Sequence, residues 1–234
     1  MISEWTDYFM LQWAKIDTVL LDMDGTILDL HFDNYFWLQH LPLRYAESKH
    51  ISLEQAKNFL KQRYLDVEGT ISWYCLDYWA EQIDMPITEL KREIDHLIQL
   101  RDDAHDFLTA LKQSGRQVVL VTNAHPDSLS LKIEKTALDQ YFDELISCHQ
   151  FQVSKESQSL WQQLQAHLKF DKQRTLFVDD SLPILDAAKT FGIEYLLAVA
   201  NPDSKQPIRE VMNYPFITDY RQLITDIINN PVSH

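Results

Sequence analysis

The sequence predicts an α/β protein, a doubly wound parallel sheet interrupted by one helical insertion, and three observations lead there. Five short runs, Thr18–Leu21, Val118–Val121, Leu145–Ser147, Thr175–Val178 and Tyr195–Ala200, are apolar without alternation. That is the pattern of strands covered on both faces, as in a parallel sheet. Helical patterns lie between them, such as Leu160, Leu164 and Leu168 at four-residue spacing beside Trp161. The stretch 30–100 holds no such run, and at roughly 70 residues it exceeds any ordinary strand-to-helix connection. Strand and helix in repeated alternation give a Rossmann-like sheet.

Each element has its own justification. The first run leads directly into Asp22-Met23-Asp24-Gly25-Thr26. Within the insertion, Ser52 with Gln55 three residues later has the form of a capping box, and Leu53, Ala56, Phe59 and Leu60 follow at helical spacing. Gly115 closes DAHDFLTALKQSG before QVVLV, and Gly192 closes ILDAAKTFG before IEYLLAV. Glycine just past a helix and feeding a strand is a recurrent α-to-β junction. Gly69 has no place in that scheme. Lys155 is expected to open the helix containing Trp161. The expected organisation is a core formed by 1–29 and 101–234, with 30–100 as a small helical domain over the carboxyl end of the first strand.

Composition narrows the function. The 234 residues are 45% hydrophobic and 12% aromatic, enough to fill a core and unlike a disordered chain. Acidic side chains number 35 against 21 basic, for a net charge of −14. The balance argues against a nucleic-acid polymer or an anionic membrane as partner. The two cysteines, Cys75 and Cys148, have no CxxC spacing, which argues against a disulfide framework and a structural zinc site and suits free thiols in a reducing compartment. The start MISEWTDYFMLQW carries Glu4 and Asp7 without a basic region, unlike a signal peptide, and no run approaches 18 apolar residues. A soluble cytoplasmic protein is expected.

In open α/β sheets, ligands bind beyond the carboxyl ends of the strands. Those ends carry Asp22 and Asp24, Thr122 and Asn123, and Asp179 and Asp180. Each alone is ordinary turn chemistry: aspartate caps helices, hydroxyl and amide residues favour turns, and a single lysine such as Lys155 suits a solvated surface. Together they bring four carboxylates to one sheet edge. Uncompensated, these would repel and raise one another's pKa. A divalent cation relieves this, and magnesium suits oxygen ligands that leave room for water and phosphate.

DMDGT after a hydrophobic strand resembles the first motif of the haloacid dehalogenase superfamily. Thr122, Lys155 and the Asp179–Asp180 pair resemble its second, third and fourth motifs in order, and 30–100 falls where that superfamily places a C1-type cap. The chain departs at Ile184, where many members carry a further acid. The resemblance implies phosphoester hydrolysis. Asp22 is then the nucleophile that becomes an aspartyl-phosphate, and Asp24 the acid that protonates the leaving oxygen and later activates water. It also implies Mg2+, with other divalent cations such as Mn2+ as substitutes, held by Asp22, the backbone carbonyl of Asp24, and Asp180. Lys155 neutralises charge and orients Asp22, Thr122 and Asn123 with neighbouring N–H groups bind phosphoryl oxygens, and Asp179 supports Lys155 or the metal shell.

Substrate choice would lie in the insertion. Phe36, Trp37, Tyr74 and Trp79 are expected mainly to pack, and Asp33, Asn34 and Asp77 to face ligand, since polar groups in an aromatic cluster need partners. His125 either reaches substrate or lies in the first turn of a helix before Pro126. LLDMDGTILDL, FDNYFW, WYCLDYW, TNAHP, TLFVDDS with ILDAA, and NPDS are similar to the bacterial GMP/IMP 5′-nucleotidases of the superfamily. The resemblance implies a nucleoside monophosphate as small-molecule substrate. Another phosphomonoester, such as a sugar phosphate or phosphoglycolate, and a non-catalytic binding protein on the same fold are the open alternatives.

Overall fold

A computed structural model describes residues 11–232. The amino-terminal reading, with Glu4 and Asp7, lies outside the described residues. Strands β1 (Thr18–Leu21), β2 (Gln117–Thr122), β3 (Glu144–Ser147), β4 (Thr175–Asp179), β5 (Tyr195–Val199) and β6 (Phe216–Ile217) form one six-stranded sheet in the order β3-β2-β1-β4-β5-β6. Every pairing is parallel. β6 was not legible in the sequence, because two residues carry no periodicity.

The chain winds from β1 outward to β3, then crosses back to β4 on the other side of β1, so the winding reverses between β1 and β4. A crevice opens beyond the strand ends at such a reversal. Register then fixes who meets there. Leu21 pairs with both Leu120 and Val178, which sets Asp22 level with Asp179 and leaves Thr122 just beyond.

In the insertion, α1 (His31–Tyr35) runs through a π-helical turn at Phe36–His40 into α2 (Leu41–Lys49). After it come α3 (Leu53–Val67), α4 (Ile71–Tyr74), α5 (Leu76–Ile83) and α6 (Ile87–Arg92). The sheet is flanked by α7 (Ala104–Gln113), α8 (Pro126–Thr136), α9 (Gln158–Leu168), α10 (Leu182–Phe191) and α11 (Arg221–Asn229). One face buries Val19, Leu21 and Leu120 under Phe107 of α7 and Ile227 of α11, while the other buries Leu20, Val119 and Phe177 under Trp161 of α9 and Leu185 of α10. This two-sided burial is why the strands read as unbroken apolar runs.

The insertion has its own core around Phe32, Phe36, Leu60, Leu76 and Trp79, which also takes in Leu131 from α8. Its entry and exit run side by side: Asp29 N–H donates to Gln99 at 3.0 Å and Arg101 N–H to Ile27 at 3.0 Å. Ser52 and Gln55 form the expected capping box. Ala56 and Leu60 are buried, Phe59 stacks on Tyr45, and Leu53, at the first turn, faces solvent. Gly69 sits just past α3 at φ +76°, and its carbonyl accepts from Ser154 Oγ at 3.0 Å, tying the insertion to the loop that carries Lys155. Lys155 lies in the turn before α9, whose N-cap is Ser157, and does not open the helix as its position beside Trp161 suggested. Among the described residues, no helix is long and apolar enough to cross a membrane.

Candidate active site

Asp22 leaves β1 buried in the sheet edge, with Lys155 Nζ donating to its Oδ1 at 2.5 Å and Thr26 Oγ1 to its Oδ2 at 3.1 Å. The same Nζ donates to Asp179 Oδ2 at 2.7 Å. Burial alone would strip the proton from Lys155, which is only 1% exposed, but Asp179 and Asp22 together hold its pKa well above the usual lysine value. The Lys155 backbone is fixed as well, because its N–H donates to Asn123 Oδ1 at 2.9 Å. Asn123 is therefore tied to this loop through both ends of its amide, since its Nδ2 reaches Glu156 at 3.2 Å. Tyr74 of the insertion donates to the same Glu156 at 2.9 Å. Thr122 Oγ1 accepts from Ala124 N–H at 3.0 Å, which leaves its hydroxyl hydrogen free to donate outward.

Asp24 stands apart from this knot. Lys132 of α8 donates to it at 2.6 Å and to Asp33 at 2.7 Å, while Lys91 of α6 donates to Asp33 at 2.8 Å. Burial raises the Asp24 pKa to about 7 against the opposing pull of Lys132. Asp33 is half-buried, and although desolvation opposes its charge the two lysines hold it well below the usual carboxylate range. Burial likewise raises Asp22 to about 6, against Lys155. It raises Asp179 to about 6, and Asp180 to about 7 with help from Asp22. Arg209 Nη2 donates to Asp180 at 3.1 Å.

The donor set fits a hard divalent cation. Asp22, Asp179 and Asp180 bring carboxylate oxygens within 4.8 Å of one another, and oxygen ligands of this kind suit magnesium. Gly25 makes the approach of Asp180 feasible. Its φ is +84°, and a Cβ there would come within 2.8 Å of the Asp180 carboxyl carbon. The carboxylate of Asp24 is not in this cluster, having turned to Lys132, which leaves its backbone carbonyl, the group that the family resemblance implies as a ligand.

Asp22, Asp24, Thr122, Asn123, Lys155 and Asp180 all line one cavity of about 150 Å³. Asp24 and Tyr74 also border a second cavity of about 250 Å³, walled by Trp37, Tyr64 and Trp73. Trp37 and Tyr74, expected to pack, thus face a cavity, whereas Phe36 and Trp79 are buried as expected. Asp33 and Asn34 line it too, already bonded to lysines and to Asp203. Asp77 does not line it, and its side chain is 78% exposed. His125 sits at the N-cap of α8, just before Pro126, accepting from Asp127 N–H at 3.3 Å, and it also borders the aromatic cavity. A larger cavity of about 440 Å³, beside Arg101 and Arg221, holds none of the converging groups.

Lys91, Lys132 and Arg209 were missed in the sequence. Only Lys132 left a trace, as a charge interrupting the buried face of α8 between Leu131 and Ile133.

Comparison with known proteins identifies the family. The chain is 45% identical to the GMP/IMP nucleotidase YrfG of Escherichia coli over 218 residues, 93% of this chain and 98% of the relative. It is 27% identical over 158 residues to an (S)-2-haloacid dehalogenase of Pseudomonas fluorescens, 68% of this chain and 63% of that one. In fold it is similar to the crystal structure of a HAD phosphatase from Thermococcus onnurineus, with TM-score 0.75 and 22% identity over 93% of this chain and all of the other. The family model for a haloacid dehalogenase-like hydrolase matches residues 16–192, from two residues before β1 to the glycine that ends α10. On that span and that identity, this chain belongs to the haloacid dehalogenase-like hydrolases.

Proposed function

We propose that the chain is a Mg2+-dependent phosphomonoester hydrolase that works through an aspartyl-phosphate on Asp22 and takes purine nucleoside 5′-monophosphates. The observation that carries the reading is the shared cavity of Asp22, Asp24, Thr122, Lys155 and Asp180, which meets an aromatic-walled cavity at Asp24 and Tyr74. The relative named for GMP and IMP supports the purine assignment.

Asp22 attacks phosphorus in line as the carboxylate, and Lys155 steadies that charged form from one side. Asp24 protonates the departing ester oxygen. With its pKa near 7 it can then take a proton from the water that splits the acyl-phosphate. Thr122 donates its free hydroxyl hydrogen to a phosphoryl oxygen, and Lys155 offsets the charge gathering there. Asn123 fixes the Lys155 loop through both ends of its amide, and its second Nδ2 hydrogen can be offered to a phosphoryl oxygen. When bound by Asp22, Asp180 and the Asp24 carbonyl, Mg2+ supplies positive charge that offsets repulsion between nucleophile and phosphate, and Mn2+ suits the same oxygens.

Residues 30–100 serve as the cap, with Trp37, Tyr64 and Trp73 offering faces to a nucleobase. Both cysteines are free, in keeping with a reducing compartment, and we assign the chain to the cytoplasm.

Phosphate release from GMP, IMP, AMP, UMP, phosphoglycolate and sugar phosphates, with and without Mg2+, tests the reading. Mg2+-dependent turnover led by GMP and IMP is expected. Turnover of the other esters alone would remove the purine assignment, and none at all would remove catalysis.

A further inference from the structure

Away from the carboxylates, three ligand-type side chains from separate parts of the chain converge. Cys75 caps α5, His125 caps α8, and His149 lies in the 3-10 turn after β3. Each brings one sulfur or nitrogen to within 4.8 Å of the other two. The two imidazole rings stand edge to face with centroids 5.0 Å apart. His149 Nε2 is closed off from solvent and has no hydrogen-bond partner among the described residues. Leaving a buried polar group in that condition costs about 1–3 kcal/mol.

We propose that Cys75, His125 and His149 form a second metal site, for a borderline-soft divalent cation of the zinc type, and that the bound ion fastens the helical insertion to the sheet beside the catalytic cavity.

The chemistry separates this site from the carboxylate one. A thiolate and two imidazoles suit Zn2+ and its neighbours, whereas magnesium prefers oxygen throughout. A fourth ligand is at hand in Asp77, whose Oδ2 is 3.5 Å from His125 Nε2, or in water. On binding, the Cys75 thiol gives its proton to solvent as sulfur takes the metal, so one proton leaves per ion, and the imidazoles bind through lone pairs. A metal on His125 Nε2 places the ring proton on Nδ1. The Asp127 carboxylate, 3.9 Å away, is placed to accept it, and the 3.3 Å bond from Asp127 N–H is what is given up. The Tyr78 N–H that donates to Cys75 Sγ at 3.4 Å can remain, since a thiolate accepts as well as a thiol does.

Position gives the site its consequence. Cys75 follows Tyr74, which borders both cavities, and His125 follows the Thr122–Asn123 strand end. An ion there joins insertion to core beside both cavities. The sequence argued against zinc because no two of these ligands share a motif; folding alone assembles them.

The test uses the full-length protein saturated with Mg2+, so that the oxygen site is filled, and Co2+ as the probe. The expected result is one equivalent of Co2+ bound with a thiolate-to-cobalt charge-transfer band, release of one proton per ion, and displacement by Zn2+. Cys75→Ser, which keeps an oxygen to cap α5, should abolish the band. Both Cys75→Ser and His149→Gln should weaken Zn2+ binding by more than about tenfold. Zn2+ should raise the melting temperature of the wild type and not of Cys75→Ser. Absence of the thiolate band in the wild type, or equal Co2+ and Zn2+ binding by both variants, overturns the proposal.

Discussion

Lys132 reaches from α8 to Asp24 at 2.6 Å and is itself almost wholly buried. On the proposed mechanism it therefore sets the charge felt by the acid, Asp24, while its own bonds go to Asp24 and Asp33 and not to Asp22 or Asp180. Its second bond, to Asp33 at 2.7 Å, runs to the insertion, so one ammonium links Asp24, α8 and the insertion. Lys132→Met keeps the volume and removes the charge. With Asp24 and Asp33 both deprived of a buried partner, a stability loss of about 3–5 kcal/mol is expected in denaturant unfolding. The sign on catalysis follows too. Without the lysine, Asp24 holds its proton to higher pH, so the pH optimum of kcat should move upward; an unmoved optimum would detach Lys132 from Asp24's titration.

The proposed mechanism divides the reaction between Asp22 and Asp24. Asp22→Asn should leave the fold intact by circular dichroism and reduce turnover to background. Asp24→Asn keeps the nucleophile and should slow hydrolysis by about 10²–10⁴-fold. Intact-protein mass spectrometry after substrate should then show one added phosphoryl group on that variant and none on Asp22→Asn. An unmodified Asp24→Asn protein would place Asp24 outside the second step.

Among the described residues Asp180 pairs with no lysine, and its one ion-pair partner is the exposed guanidinium of Arg209. Asp180→Asn should raise the Mg2+ concentration for half-maximal activity by about an order of magnitude or more. An unchanged metal titration would take Asp180 out of the metal shell.

The carboxylate cluster also makes stability depend on pH and metal together. In the metal-free protein, Asp22 and Asp179 are raised to about 6 and Asp180 to about 7, against 3.8 as the reference value. Between those limits the folded state holds more protons than the unfolded one, so stability at these sites falls as pH rises from about 4 to 7 and levels off above. Mg2+ held by this cluster would bind the ionised groups and compete with those protons. It should therefore raise the melting temperature clearly at pH 8 and little at pH 5. Equal shifts at both pH values would mean that the ion binds elsewhere.

Much of this was written locally. The carboxyl-end residues of β1, β2 and β4 follow their apolar runs directly, so a sheet rule alone brought Asp22, Thr122, Asp179 and Asp180 together. Lys155 was found by motif order, although its turn was misjudged as a helix start. Lys132 and Lys91 were not found, because their partners lie far along the chain and nothing in local spacing couples them. The aromatic residues show the same limit. Phe36 and Trp37 are adjacent, yet one is sealed in the insertion's core and the other faces a cavity, a difference decided by the packing of α3 and α5 around them.

That cavity-facing tryptophan carries the most direct test of base recognition. Trp37 stands edge to face with Tyr64, 6.0 Å between centroids, so a ring face can meet a flat ligand without the pair rearranging. Stacking of a base on an aromatic side chain is worth about 1–3 kcal/mol by alanine substitution. Trp37→Ala should thus raise KM for GMP by about 5- to 150-fold, with a smaller change in kcat. Because Trp37 also packs on Trp79, some loss of stability is expected, and the informative quantity is a ratio. An ester without a base, such as phosphoglycolate, uses the same Asp22 and Lys155 but cannot stack. Its kcat/KM should change far less than that of GMP. A parallel fall for both would assign Trp37 to packing and move base recognition to another wall of the cavity.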